Sequence, residues 1–384
     1  MPEVDYDVDD DGLIEVSSLA QLNAIRWDLD GDGSADVYPA GKDGHIGHDP
    51  DGAAKLAAAF PTAATGMGCP ADGCDGYELV ANLDFDTNGN GRADSGDDYW
   101  NGGRGWLPLM GGEAIYDWHA DVRFEDRAPP SRAYGDSPHS RARMFTAAFE
   151  GNGRTIANLY INDSTRWYVG LFGVIGPGGH VRNLGLSAPN ADSGVRGRRF
   201  VGVLAGMSIG GFSTVGGRVS GVWSDVDVSG SSRVGGLVGT SALYAFIIES
   251  YATGDVTGGD RVGGLVGLLN YSGVAASYAT GDVTGTNDAG GLVGWRPDGH
   301  IRATYATGSV TFRAGTIGTP WRRGWRRVRI ARRATPPRSC RRRRAMRGSM
   351  RAGTWMWVSV PMTAGIPGRV MIRGISGRLL SIRY

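Results

Sequence analysis

VGGLVG at residues 234–239, VGGLVG again at 262–267 and AGGLVG at 289–294 are copies of one word, and a second word follows each: SYATGDVTG at 250–258, SYATGDVTG at 277–285 and TYATGSVTF at 304–312. The equivalent tyrosines Tyr251, Tyr278 and Tyr305 stand 27 residues apart, so the structural unit is a repeat of that length. Within each unit, short runs of small and β-branched residues (Leu265 and Val266, then Val274, Ala276 and Tyr278, then Val283) are separated by Gly, Asp, Asn or Ser. Such runs lack the apolar stripe of a helix and read as strands of about five residues joined by turns. Two or three of these strands make one coil of a parallel β-helix. Coils stacked roughly 4.8 Å apart place identical residues in ladders around a narrow core. A glycine recurring at one place in every coil marks a bend where a side chain would meet the coil above.

The G-G-L-V-G words followed by S-Y-A-T-G resemble the GLUG repeat of secreted and surface-attached bacterial proteins, including adhesin-like proteins and the non-catalytic part of some IgA-cleaving metallopeptidases. The resemblance is close over 234–311 and fades upstream. It implies a β-solenoid and an extracellular or cell-surface location, far more than an activity. Further upstream, FEGNGRTIANLYI at 149–161 resembles the entry coil of pectate-lyase-like right-handed β-helices, and VRNLGL at 181–186 repeats its ending 25 residues later. An apolar column through Ile156, Val181, Val219, Ile247, Val274 and Ile301 has spacings of 25, 38, 28, 27 and 27, the long interval holding an inserted arm near 189–199. A second column, Leu171, Leu204, Leu237, Leu265 and Leu292, agrees. The expected fold is all-β, a solenoid of about six coils over residues 144–312.

The 64 glycines of this 384-residue chain are far above average usage. They follow no Gly-X-Y period, which disfavours collagen, and their words recur regularly, which disfavours disorder. The net charge of +1 conceals two opposite parts: residues 313–384 carry 19 arginines and no acid, leaving 21 basic against 39 acidic side chains in residues 1–312. No apolar stretch is long enough to span a membrane. Met1, Pro2 and Glu3 open directly into acidic sequence without the regions of a signal peptide, so export would require an internal start or a lost signal.

Residues 1–143 read as an acidic, irregular region with calcium-like loops and one or two short helices. Asp7, Asp9 and Asp11 before Gly12 give D-x-D-x-D-G, and the word returns as Asp28, Asp30, Asp32 and Gly33, with Asp36 three residues on. Asp86, Asn88, Asn90, Asp94 and Asp97 place oxygens at positions 1, 3, 5, 9 and 12 of a calcium loop, with Gly91 at the sharp turn. This third copy is the most complete and resembles dockerin and thrombospondin type 3 loops. The first two have Ser18 and Pro39 at position 12, so they would need another ligand or water. Asp, Asn and Gly also dominate plain turns, and that reading stands beside structural calcium. A helix is expected after Ser17 or Ser18, through Leu19, Leu22 and Ile25. A second is expected over 53–60, stopped by Pro61.

Cys69 and Cys74 flank Pro-Ala-Asp-Gly, a turn that brings two thiols together. A local disulfide fits this better than zinc, which would need two further ligands. The aromatic segment with Tyr99, Trp100 and Trp106, and the loop carrying Trp118 and His119, could stack on sugars or could cap a solenoid end, as terminal units require. The histidines are scattered without H-E-x-x-H, so this chain has no zinc peptidase centre of that type.

Enzymes built on β-helices place unique carboxylates on one exposed face. Here Asp255 and Asp282 occupy the same repeat position and Ser309 replaces them in the next coil, which is the behaviour of a turn residue. No catalytic residue is assigned.

After Phe312 the repeat stops, and so do Asp, Glu, Asn, Gln and Lys. One reading of 313–384 is an arginine-rich arm binding nucleic acid or membranes. The other is a frameshifted, disordered tail, favoured because the composition breaks abruptly. Read two nucleotides into the first codon, permitted codons for 369–384 yield GDDPWDFGTSAQYPV and those for 355–368 yield DVGVGADDGWDPG, while those for 323–326, begun on the last base of codon 322, yield AGLA.

The sequence therefore predicts a non-catalytic, calcium-stabilised solenoid, secreted or on a bacterial surface, serving adhesion or as a spacer. Its expected partner is a host or matrix surface, glycan or protein, with no specific nucleic acid. The alternatives are a carbohydrate-active β-helix enzyme and the non-catalytic segment of a larger secreted peptidase.

Overall fold

The computed structural model describes residues 11–32, 52–60, 74–109, 144–211 and 216–313, and the backbone of Trp355–Pro361 and Pro367–Arg373. The chain divides into two units, Met1–Gly318 and Thr319–Tyr384. In the second, Trp355–Pro361 and Pro367–Arg373 pair antiparallel; the rest of the arginine-rich tail lies outside the described residues.

The first unit is a parallel β-solenoid of five complete turns followed by the strands of a sixth. Sheet 1 has eight strands: Leu13–Val16, Gly76–Leu79, Ala148–Glu150, His180–Arg182, Arg218–Ser220, Phe246–Ile248, Gly273–Ala275 and His300–Arg302. Sheet 2 runs from Leu83–Asp84 to Tyr305–Ala306, sheet 3 from Tyr160–Asn162 to Val310–Phe312 and sheet 4 from Phe172–Ile175 to Val293–Trp295. Each repeat contributes one rung to every sheet, because its four short strands are separated by residues that tolerate a bend. The 27-residue register is visible directly: Tyr251 lies against Tyr278 and Tyr278 against Tyr305.

The inner column of sheet 1 runs Ile14, Tyr77, Phe149, Val181, Val219, Ile247, Val274 and Ile301. Ile156 is not its first member. It faces Leu186 in sheet 2, and Phe149 takes the place expected for it. The leucine column Leu171, Leu204, Leu237 and Leu265 is buried throughout, with Leu292 partly buried at its end. The long interval of 38 residues resolves into two insertions. Leu186 and Val195 stand nine positions apart where Ser224 and Val228 stand four apart, and Ile209 and Arg218 stand nine apart where Ala242 and Phe246 stand four apart. Only the first of these lies in the expected arm.

At the N-terminal end, Leu13–Val16 and Gly76–Leu79 are the first two rungs of sheet 1, so the acidic region is continuous with the solenoid in hydrogen bonding. Helix α1, Leu19–Ala24, starts where expected: the Ser18 hydroxyl accepts from the Gln21 N–H at 3.2 Å. Helix α2 spans Gly52–Ala59 and buries Leu56. Gly105 bridges to Ile161 and Leu109 to Phe172, which covers the first strands of sheets 3 and 4. Trp106 is buried between them, its indole N–H donating to the Leu171 carbonyl at 3.1 Å. Trp106, Phe85 and Tyr99 pack edge to face, and the guanidinium of buried Arg26 lies 5.4 Å from the Trp106 ring centroid. These rings close the end of the solenoid, as the capping reading requires. Trp118 and His119 lie outside the described residues.

Candidate functional site

The loop carrying Asp86, Asn88, Asn90, Asp94 and Asp97 folds so that these side chains converge. The Asp86 carboxylate accepts from the backbone N–H groups of Asn90 at 3.1 Å and Gly91 at 2.8 Å. Asp97 accepts from the N–H groups of Thr87 and Asp94, both at 2.9 Å. Asp94 takes the side-chain amides of Asn88 at 3.0 Å and Asn90 at 2.6 Å. The donor set is oxygen-rich and flexible, of the kind hard cations take, with the two amides able to turn their oxygens inward. The loop is tied to the solenoid through Asn190, whose amide donates to Asp86 at 2.9 Å. That bond, above the opposing effect of burial, holds the Asp86 carboxyl below its ordinary pKa, with help from the Gly91 and Asn90 N–H groups. Asp94 is lowered as well, chiefly by the Gly96 N–H and then by Asn90. Beside the loop, Trp100 stacks on Tyr160 with centroids 5.2 Å apart, walling a shallow hollow with Tyr99, Arg92, Asn158 and Asn190.

Asp28, Asp30 and Asp32 come together more tightly: each offers an oxygen within 4.8 Å of the others. Asp28 is fully buried. The Tyr77 hydroxyl donates to its carboxylate at 2.6 Å and the Gly31 N–H donates at 3.0 Å. Because Tyr77 belongs to the inner column of sheet 1, this loop is fastened to the core. Asp30 and Asp32 are exposed. Asp36 lies outside the described residues, as do Asp7 and Asp9; Asp11 accepts from the Leu13 N–H at 2.9 Å. Cys74 is buried, and Cys69 lies outside the described residues.

On the solenoid itself, two ladders run along the coils. Trp223, Tyr251, Tyr278 and Tyr305 stack face to face at 6.0, 4.6 and 4.9 Å. Up to Tyr305, the last ring, their faces are taken by one another, so the row presents ring edges to solvent, not the open platforms on which a sugar stacks. The second ladder is acidic. Asp227 accepts from the Asp255 N–H at 2.7 Å, Asp255 from the Asp282 N–H at 2.8 Å, and Asp282 from the Ser309 N–H at 2.7 Å. Each carboxylate ties its coil to the next.

Tyr77 and Asn190, which steady the two loops, carry no signal in a single sequence because each acts on a residue 49 or 104 positions away. A further ladder is only half legible in the sequence. Tyr168, Phe200, Arg233 and Arg261 hold φ of +55° to +56°. Tyr168 stacks on Phe200 at 4.6 Å and the Arg233 guanidinium lies 4.7 Å from the Phe200 ring. Arg233 and Arg261 stand before the same VGGLVG word and so repeat in the sequence, but rings fill this corner in the two earlier coils and hide its extent.

No family model matches this chain, and no curated protein matches it. Among solved structures, a Bacteroides ovatus protein assigned as an immunoglobulin A1 protease is similar at 18% identity with a TM-score of 0.38, over 64% of this chain and 72% of that one.

Proposed function

We propose that this chain is a non-catalytic β-solenoid of the GLUG-repeat kind, secreted or held on a bacterial surface, that serves as an adhesive or spacer surface. The carrying observation is the acidic ladder: Asp227, Asp255 and Asp282 are engaged one after another in holding coil to coil. A glycan-cleaving β-helix needs instead a few unlike groups gathered at one place, with one carboxyl held as an acid. The partner in this reading is a glycan or protein of a host or matrix surface. The test exposes immobilised matrix glycans and proteins to the full chain and assays the same glycans for released fragments. Binding without fragments supports the reading. Fragments that vanish with Asp255→Asn overturn it and make the chain an enzyme.

Calcium in this reading is structural, held at Asp28, Asp30 and Asp32, and at Asp86, Asn88, Asn90, Asp94 and Asp97. Three carboxylates drawn within 4.8 Å of one another repel, and a cation between them would relieve that repulsion as a proton on one of them would. A chelator should lower the melting temperature and added calcium restore it. An unchanged melt rules calcium out. A Cys69 to Cys74 disulfide belongs to the same extracellular reading, and a peptide containing both cysteines that changes mass on reduction is its expected signature. No helix among the described residues is long and apolar enough to cross a membrane.

A further inference from the structure

The two ends of the solenoid differ. The N-terminal end is closed by Leu13–Val16, Trp106 and the bridges at Gly105 and Leu109. At the other end all four sheets finish in one coil, on Val293–Trp295, His300–Arg302, Tyr305–Ala306 and Val310–Phe312. Residues of that coil repeat those of the coil before it and lose their cover: Ile301 is 39% exposed where Val274 is 1%, and Val310 is 40% exposed where Val283 is 0%. Tyr305, last in the ring stack, is 55% exposed.

We propose that this coil is an unfinished coil-to-coil interface, that its occupant is one more coil of the same repeat in the same chain, and that this coil is encoded in the shifted reading frame of the codons after Phe312. The interface is already defined by the preceding coils, which keep one register from coil to coil, so its occupant must supply a parallel strand to each sheet, an apolar residue over Ile301 and Val310, and a flat ring or small residue over Tyr305. Residues 314–384 as they read contain neither the GGLVG nor the YATG word. A second copy of the chain fits poorly. Its N-terminal end is covered, and two C-terminal ends brought together would oppose two segments that each hold 19 arginines and no acid.

The shifted frame fits better. Tryptophan and methionine have one codon each, so no choice enters where the first two bases of the next codon are fixed as well. In the frame begun two nucleotides into each codon, Trp355 with Met356, Met362 with Thr363 and Met371 with Ile372 all specify Asp. Met356 with Trp357 specifies Val, and Trp357 with Val358 specifies Gly. A tail without acids thus conceals forced acids and glycine, the composition of the repeat body. Near its start, 323–326 begun on the last base of codon 322 permits AGLA, a degenerate copy of the word that opens sheet 4. The forced residues lie downstream of the coil itself and show the frame that a restored chain would continue in.

The first test sequences gene and transcript across the codons for residues 311–326. A missing or extra base is expected, and an intact frame in both overturns the proposal. The second compares the chain as it reads with a chain carrying the restored frame. The restored chain should melt several degrees higher. Ile301→Asp should leave the first nearly unchanged and lower the melting temperature of the second. Equal melting of the two chains, or an equal response to Ile301→Asp, overturns the proposal even where a base is missing.

Discussion

Asn158 at φ +58° and Asn183 at φ +54° hold one left-handed bend at two different corners of the coil. Each is followed by a buried leucine, Leu159 and Leu184. The word x-N-L is therefore the code for a corner, an αL asparagine and then an inward leucine, and it does not say which corner. That is why Ile156 reads as a partner of Val181 in the text and sits beside Leu186 in the fold. Glycine is more exact. A Cβ on Gly281, the glycine of YATG, would strike the Gly254 carbonyl of the coil before, whereas one on Gly194 would lie 3.6 Å from the Asp227 carbonyl, an ordinary contact. Gly281→Ala should cost about 1–3 kcal/mol, as overpacking does, and Gly194→Ala should fall within about 0.5 kcal/mol of the parent; chemical denaturation of both variants checks the contrast. His180 gives a pH dependence. Burial first, then Arg182 and Arg218, outweigh Glu150 and hold its pKa below 6.5 in the folded chain. The unfolded chain therefore takes the proton first. Its contribution is present above about pH 6.5 and is lost as pH falls through the folded value. The melting temperature should decline between pH 7 and pH 5, less steeply in His180→Asn, which keeps a polar group facing the Ser220 hydroxyl 2.8 Å away; equal slopes would refute the assignment.

Strands and their order are legible because each element is written several times. Three copies of one word are enough to place a strand in each sheet, and the structure keeps the 27-residue register of the tyrosines without a slip. Where the text stops repeating, legibility ends: the corner of Tyr168, Phe200, Arg233 and Arg261 has one geometry, and the sequence repeats there only at the two arginines. The two acidic loops show the same limit. Their oxygens could be counted from the spacing, but the count favoured the Asp86 loop, while the tightest group of carboxylates among the described residues is Asp28, Asp30 and Asp32. Its cohesion comes from Tyr77, a long-range partner that spacing does not reveal. The acidic ladder is an element in its own right, and it separates a structural acid from a catalytic one. Asp255→Asn keeps an acceptor oxygen for the Asp282 N–H and should leave stability within a few tenths of a kcal/mol. Asp255→Ala removes it and should cost about 0.5–1.5 kcal/mol. If both variants lose equally, the carboxylate is needed for its charge and the coil-linking role fails.

Over the whole molecule, a solenoid is held by contacts between neighbouring coils, so its stability is nearly a sum along one axis. That axis has a closed end and an open one. Opening the last coil uncovers only one coil face, because the other is already in solvent at Ile301, Tyr305 and Val310. Opening a middle coil uncovers two. Subglobal opening should therefore begin at residues 293–312 and proceed inward. Native-state hydrogen exchange tests this directly. Amides donated across the last junction, such as Ser309 to Asp282 and Thr307 to Ala279, should exchange fastest. Those of Val228–Gly235 and Val256–Gly263, with neighbours on both sides, should approach the global limit. The aromatic cap predicts the asymmetry: the strands Tyr160–Asn162 and Phe172–Ile175 at the other end should be protected nearly as well as the middle. Protection that is uniform along the coils would mean that the chain opens as one block, and that the exposed coil is no weaker than the buried ones.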